Sequence, residues 1–393
     1  MSKDVKNVPA LRFKGFSDAW EKRKFKDIVT RVNQMSNDSK LPSVEFEDIV
    51  SGQGRLRKSA HLKFNTKKGI SFQPRDVLFG KLRPYLHNWL FPNFHGRAVG
   101  DFWVLRANSN VFPGYLFQLV QAPRFQSIAN ISSGTKMPRS DWKTVAESHF
   151  LLPDVSEQKR IWQLFKVLDD LIAATQQKLD NLRQVKKSMS QHLLGKSIRF
   201  REFSATWEKR KLGDLLKERN VQHPQSSEYP LVSFTVENGV TPKTERYERE
   251  QLVRGDKQAK RYKETRLDDI VYNPANLKFG AIARNSFGKA VFSPIYVTFE
   301  VNQELALAKY VELLVTQNSF LSRALRYQQG TVYERQSVSP RDLLNLSVAL
   351  PDKEEQMNIS LVFSRLDKLI MTTQSQLSTF KILKKSLLQN LFV

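Results

Sequence analysis

Arg12-Phe-Lys-Gly-Phe-Ser-Asp-Ala-Trp-Glu-Lys-Arg-Lys24 returns in the same chain as Arg199-Phe-Arg-Glu-Phe-Ser-Ala-Thr-Trp-Glu-Lys-Arg-Lys211, with nine of thirteen positions identical at an offset of 187. A second block closes each half: Leu152-Pro-Asp154 with Glu157-Gln158 recurs as Leu350-Pro-Asp352 with Glu355-Gln356, at an offset of 198. Between these blocks little similarity is visible, and the offset grows by eleven residues. Each half thus has matched ends around a divergent, length-variable middle. A period near 190 residues is far too long for a solenoid unit and reads as a duplicated two-part module.

Each closing block opens a helical pattern. In a heptad frame from Ile161, the a positions are Ile161, Leu168, Thr175, Leu182 and Met189, and the d positions are Phe165, Ile172, Leu179, Lys186 and Leu193. The second copy gives Ile359, Leu366, Thr373, Phe380 and Leu387 with Phe363, Ile370, Leu377, Lys384 and Leu391. Sustained 4-3 spacing predicts a coiled-coil seam. Even its irregularities recur, with Thr at 175 and 373 and Lys at 186 and 384. Neither Pro nor Gly interrupts 157–194 or 355–391.

Connectivity constrains the pairing. The second divergent segment must run from the end of helix one to the start of helix two, which antiparallel pairing brings together. The expected shape is a rod with one globular module at each end, related by a pseudo-twofold axis. The divergent modules, 1–153 and 197–351, mix strand-like stretches such as Asp76-Val-Leu-Phe79, Phe102-Trp-Val-Leu105, Asp269-Ile-Val-Tyr272 and Ile295-Tyr-Val-Thr-Phe299 with short helices near 113–120 and 305–314. The fold class is therefore α+β, with helices at 154–196 and 352–393.

Composition narrows the partner. The 393 residues carry 63 Lys and Arg against 39 Asp and Glu, a formal charge of +24, and 40% are hydrophobic. Such a chain can bury sizeable cores, and its charge points to a polyanion, nucleic acid ahead of a membrane surface. It has no cysteine, which excludes disulfides, thiolate metal sites and cysteine nucleophiles. The start lacks a signal-peptide core and no run approaches the ~20 apolar residues of a membrane span. A cytoplasmic protein is the expectation.

The basic residues concentrate in the modules. Between His61 and Gly100, Lys63, Lys67, Lys68, Arg75, Lys81, Arg83 and Arg97 stand against one acid, Asp76, and between Thr241 and Ala290 twelve cations stand against seven acids. Lys and Arg neutralise phosphates, and Arg, Lys, Asn and Gln reach base edges. Two loops pair across the halves. Ser132-Ser-Gly-Thr-Lys-Met-Pro-Arg139 aligns with Gln328-Gln-Gly-Thr-Val-Tyr-Glu-Arg335 at Gly134/Gly330 and Thr135/Thr331. A Gly-Thr turn can present backbone N–H groups to phosphate while flanking side chains probe bases; an ordinary tight turn is the bland alternative. Phe79-Gly-Lys-Leu-Arg-Pro-Tyr85 and Asn273-Pro-Ala-Asn-Leu-Lys-Phe-Gly280 follow equivalent strands. The candidate DNA contacts are Lys81, Arg83, Tyr85, Ser133, Gly134, Thr135, Lys136 and Arg139 in the first module. In the second they are Asn273, Asn276, Lys278, Arg284, Gly330, Thr331, Tyr333 and Arg335.

Catalytic motifs are imitated rather than present. Pro153-Asp154 with Glu157-Gln-Lys159 has nuclease letters, but these residues open a helix and the repeat replaces the lysine with Met357. A cap at Asp154 or Ser156, with Glu157 complementing the macrodipole, accounts for the block. Asn273-Pro-Ala-Asn276 lacks the second proline and stacking aromatic that would hold a flipped base. No GxxxxGK[ST] loop and no zinc-ligand spacing among the six His is found.

The duplicated order module–helix–module–helix, the Phe16…Trp20 and Phe203…Trp207 lead-ins, the Leu-Pro-x₄-Gln158 and Leu-Pro-x₄-Gln356 helix entries and the Ser/Gly loop at 132–135 together resemble the specificity subunit of type I restriction–modification systems. The resemblance covers essentially the whole chain; Gln328-Gln329 departs from it, standing where serine is usual. It implies that each module is a target-recognition domain reading one half of a bipartite, asymmetric site on double-stranded DNA. The helices would set the half-site spacing and dock two methyltransferase subunits through Ile161, Phe165, Leu168, Ile172, Leu179, Leu182, Ile359, Phe363, Leu366, Ile370, Leu377 and Phe380, the residues that also pair the helices. The chain itself would be non-catalytic and bind no cofactor or metal. S-adenosylmethionine would sit on the methyltransferase subunits, and ATP and Mg²⁺ would serve restriction subunits, all in host defence. A single-chain DNA-modifying enzyme would need motifs this chain lacks, and a basic coiled-coil RNA-binding or structural protein would not explain duplicated lead-ins.

Overall fold

The computed structural model describes residues 8–57, 63–131, 137–236, 238–242, 260–330 and 336–392. The chain forms two compact units, one comprising residues 1–179 and 373–393, the other 180–372. Each therefore takes one module and a stretch of both long helices.

In the first unit the two repeat blocks meet. Strand Glu21–Lys24 pairs antiparallel with His149–Leu152, Glu21 opposite Leu152. Beyond this clasp lies a four-stranded antiparallel sheet in the order Val29–Val32, Phe102–Ala107, Val77–Gly80, Trp89–Leu90. The central strands read Val-Leu-Phe and Phe-Trp-Val-Leu, and both are wholly buried over those residues. A second four-stranded sheet carries Met35–Ser36, Gly69–Phe72, Gly96–Ala98 and Ser43–Val44. Helices Pro113–Leu119 and Pro123–Ala129 each start on a proline, where the missing N–H costs nothing.

The second unit repeats the scheme. Glu208–Lys211 clasps Ser347–Leu350 in the same register. Its main sheet has the same order and sense, Leu216–Glu218, Val297–Val301, Ile270–Tyr272, Ile282–Arg284. Helices Ala308–Val315 and Asn318–Ala324 follow. The smaller sheets differ, with three strands at Gln222–His223, Tyr262–Thr265 and Ala290–Phe292 and a hairpin of Val232–Thr235 with Gly239–Pro242. The mixed α+β class follows in both units, and among the described residues the strand arrangement differs outside the clasp and main sheet.

The long helices run Val155–Leu194 and Lys353–Leu391, the first about 60 Å at 1.5 Å per residue. Asp154 caps one, its Oδ1 accepting the N–H groups of Ser156 and Glu157, and Asp352 caps the other through Glu355. Within the first unit Phe165 meets Phe392 at 6.0 Å between rings, and Asp169 meets Lys384 at 2.7 Å. The numbers run in opposite directions, so the helices are antiparallel there. In the second unit Lys186 pairs with Asp367, while Leu193, Leu194, Ile359 and Phe363 share one core.

The heptad positions divide into two kinds. Ile161, Phe165, Ile359 and Phe363 are at most 1% exposed, packed in the module cores, where each fully buried side chain contributes about 1.5–3 kcal/mol. Leu168, Leu179 and Leu377 are buried too. Ile172, Leu182, Leu366, Ile370 and Phe380 are only half-buried.

Candidate nucleic-acid interface

Behind each clasp sits the same buried polar anchor. Arg12 donates through Nε and Nη2 to the two oxygens of Glu157, both at 2.9 Å. The Trp20 indole donates to the same carboxylate at 3.1 Å. In the second unit Arg199 reaches Glu355 at 3.0 and 2.6 Å and Trp207 at 2.8 Å. Both glutamates are 1% exposed. Sequence reasoning gave Glu157 to the helix dipole; its three side-chain donors make it instead the pin that fixes the lead-in on the helix. Gln158 accepts the Phe112 N–H at 2.7 Å and donates to Asn110 and Pro153 carbonyls. Gln356 repeats this with Leu307, Leu305 and Pro351. Thus the matched residues orient each module against its helix, leaving the module's surface free to diverge.

On the first module, Lys81, Arg83, Tyr85 and Arg139 come together. The Arg83 N–H donates to Pro138 O at 2.8 Å, Ser140 N–H to Lys81 O at 2.9 Å, and Leu82 bridges to Arg139. Asp101 lies between the cations, 3.5 Å from Lys81 Nζ and 3.0 Å from Arg139. Ser133, Gly134, Thr135 and Lys136 fall outside the described residues.

The second module stitches its loops alike. The Val338 N–H donates to Pro274 O at 3.2 Å, and Gln329 and Ser337 exchange two 2.9 Å backbone bonds that bring the chain together on either side of 330–336. Gly330 has φ 128°, a conformation open to glycine. Thr331, Tyr333 and Arg335 lie outside the described residues. Asn276 is exposed and Lys278 half-buried, its Nζ 5.3 Å from the Phe279 ring centre. Two of the candidates have partners inside the module. Asn273 is 8% exposed and its side chain accepts the Ala275 N–H, so it shapes the turn rather than projecting from it. Arg284 is held between Asp268 at 2.6 Å and Glu312 at 3.4 Å, a cation already spent on its own module. Arg97 also leaves the basic surface. It is fully buried and donates to the carbonyls of Leu41, Asn65 and Lys67.

The sequence reading did not single out as a group the cations that the long helices bring to one cleft in each unit. In the first unit a cleft of about 570 Å³ between module and helices is lined by Lys381, Lys384 and Lys385. In the second a cleft of about 990 Å³ is lined by Arg183, Lys186 and Lys187. The two sets are related by the offset of 198, so the repeat could have revealed them.

No protein-family model matches the chain. Two curated proteins are similar to part of it. The type I restriction enzyme HindI specificity subunit of Haemophilus influenzae is 26% identical over 184 residues, 43% of this chain and 39% of that protein. The EcoDI specificity subunit of Escherichia coli is 26% identical over 141 residues, 35% and 30% of the two. The match therefore spans about two fifths or less of each relative's length. The fold extends further. The crystal structure of a type I restriction–modification S subunit from M. genitalium superposes with a TM-score of 0.63 at 12% identity, over 98% of this chain and 99% of that one. A chain from a structure of the type I R-M system superposes with a TM-score of 0.52 at 16% identity, over 94% and 96%.

Proposed function

We propose that this chain is the DNA sequence-specificity subunit of a type I restriction–modification complex, a non-catalytic reader whose two modules each recognise half of an asymmetric site. The observation that carries the reading is the paired construction: one anchor of Arg, Trp, Glu and Gln used twice, beneath two surfaces that differ. A reader of two different half-sites needs this combination of fixed placement and free surface. Phosphate contacts from exposed cations such as Arg83 and Arg139 supply affinity, and the loop side chains beside them supply base discrimination.

Adenine methylation belongs on this reading to two modification subunits carrying S-adenosylmethionine, and cleavage to ATP- and Mg²⁺-dependent restriction subunits. The half-buried and exposed apolar positions on the long helices are the proposed docking rows. Two of the exposed positions recur at the offset of 198, Leu171 with Leu369 and Val185 with Leu383. No helix among the described residues is long and apolar enough to cross a membrane.

The test is methyl transfer to plasmid DNA by the purified chain, by modification subunits alone, and by both together. Methylation only in the mixture, with mapped adenines defining one two-part motif, supports the proposal. Methyl transfer by the chain alone overturns it.

A further inference from the structure

Each module carries, at the same place, an apolar tip held out from the surface. After strand Val77–Gly80 comes a single 3₁₀ turn, Pro84–Leu86, with Tyr85 53% and Leu86 43% exposed. Arg83 and His87, on either side, both adopt left-handed backbone, φ 48° and 55°, which non-glycine residues take at a cost and which collects at functional sites. The turn is anchored on all sides. Gly52 N–H donates to His87 O, Arg83 N–H to Pro138 O, and the Ser51 hydroxyl to Leu86 O. The His87 ring stacks on Trp89 at 4.9 Å.

In the second module the corresponding strand Ile270–Tyr272 leads into the 3₁₀ segment Pro274–Phe279. Leu277 is fully buried, whereas Phe279 is 61% exposed, and Gly280 closes the turn at φ 82°. The two segments share almost no sequence, yet both present an exposed aromatic, Tyr85 in one and Phe279 in the other. Cations flank both: Lys81, Arg83 and Arg139 in one, Lys278 in the other.

We propose that Tyr85 with Leu86, and Phe279, are wedges that insert between stacked base pairs of duplex DNA. The inference rests on the DNA-reading role proposed above. A rigid apolar side chain with a cation beside it suits a partly unstacked step, where the apolar group replaces base–base contact and the cation holds a flanking phosphate; such insertion kinks and untwists a duplex. Surface contact with a groove would need neither the exposed apolar tip nor the strained, anchored turn beneath it. Part of the specificity would then come from how easily a step opens, a property of sequence that requires no base hydrogen bond.

The test uses the full chain and relaxed closed-circular plasmid with topoisomerase I, with binding followed in parallel by gel mobility. The wild type is expected to leave the deproteinised plasmid negatively supercoiled. Tyr85→Ala/Leu86→Ala and Phe279→Ala should each lower the linking-number change per bound chain, and the combined variant should lose it while still binding. Tyr85→Phe should retain it, and unchanged melting curves would exclude misfolding. Binding with no linking-number change in the wild type overturns the wedge and leaves the DNA-reading role intact. So does an alanine variant with full supercoiling, or one whose only loss is capture of modification subunits, which would make the tips protein contacts. A chain that does not bind the plasmid removes both proposals.

Discussion

Glu157 and Glu355 are carboxylates taken out of water and held by three donors each, so their value depends on keeping every partner. Removing one member of a buried ion pair leaves the other charge uncompensated. Glu157→Gln should therefore lower the unfolding free energy of the full chain by about 3 kcal/mol, read as a shift in the urea midpoint. Glu147→Gln is the control. That carboxyl is held down to about 2 by hydrogen bonds from Lys24 and Lys26, but it is exposed, and its loss should leave the midpoint unmoved. Equal shifts in the two variants would remove the anchor's special status. Asp154 makes a pH-dependent case. Its carboxyl lies below the ordinary range because the Ser156 hydroxyl and the Glu157 and Ser156 amides donate to it. A depressed folded value means its stabilisation is full above about pH 4, the unfolded value, and fades as acid takes the pH through the folded one. Melting temperatures measured from pH 6 to 3, as a working range around that value, should fall less steeply for Asp154→Asn than for the wild type. A parallel fall would show that the cap carries no such linkage. None of these pairings was legible in the sequence beyond the identity of the blocks. Arg12 and Glu157 stand 145 residues apart, and residue type does not say which cation meets which acid. The same limit hid the partners that Asn273 and Arg284, two candidate DNA contacts, have within their own module, and those that bury Arg97.

The long helices were readable because apolar spacing, absent Pro and Gly, and caps all act locally along the sequence. Their polar interruptions have a matching logic. Lys186 and Lys384 sit at d positions, and Asp169 and Asp367 one position after an a residue; each pair is related by the offset of 198. The structure joins Lys186 to Asp367 in the second unit and Lys384 to Asp169 in the first. A seam that is otherwise mostly Leu, Ile and Phe, with one Thr in each helix, tolerates slippage, and a lone charged d residue with one matching acid selects a register. Lys186→Glu should destabilise the chain, and adding Asp367→Lys should restore part of the loss, less than all because Asp367 also pairs with Lys309 at 3.2 Å. Because both side chains are about a third exposed, the coupling in a double-mutant cycle should be modest, about 0.5–1 kcal/mol. A double variant no more stable than the sum of its singles would mean that the pair does not set register.

At the scale of the whole chain, repeated architecture makes the modules look exchangeable, and one junction says on what terms. Gly114 lies against Trp162 of the first long helix: a Cβ added there would come within 2.2 Å of the indole. Tyr115 and Tyr310 are both fully buried, and their hydroxyls point to the equivalent carbonyls of Leu151 and Ala349. That equivalence makes Lys309 the counterpart of Gly114, and the offset of 198 makes Ser360 the counterpart of Trp162. Glycine stands against tryptophan in one half, and a long and a small residue hold the equivalent positions in the other. The clasp offers clean joins, because Glu21–Lys24 and Glu208–Lys211 are the same tetrapeptide. Replacing residues 25–149 with 212–347 would thus give a chain with two copies of the second module, but it would bring a lysine against Trp162. The expected result is a poorly folded chain with a lowered, broadened melting transition. Adding Trp162→Ser should restore the transition, since it removes the indole and supplies the residue that the second half has at the equivalent position. On the proposed DNA-reading role, the rescued chain combined with modification subunits should then direct methylation to a site whose two halves are inverted copies of one another. An unrescued but well-folded exchange would show that the glycine–tryptophan contact yields easily. A rescued chain that still methylates an asymmetric motif would separate the fold's symmetry from the reading of DNA.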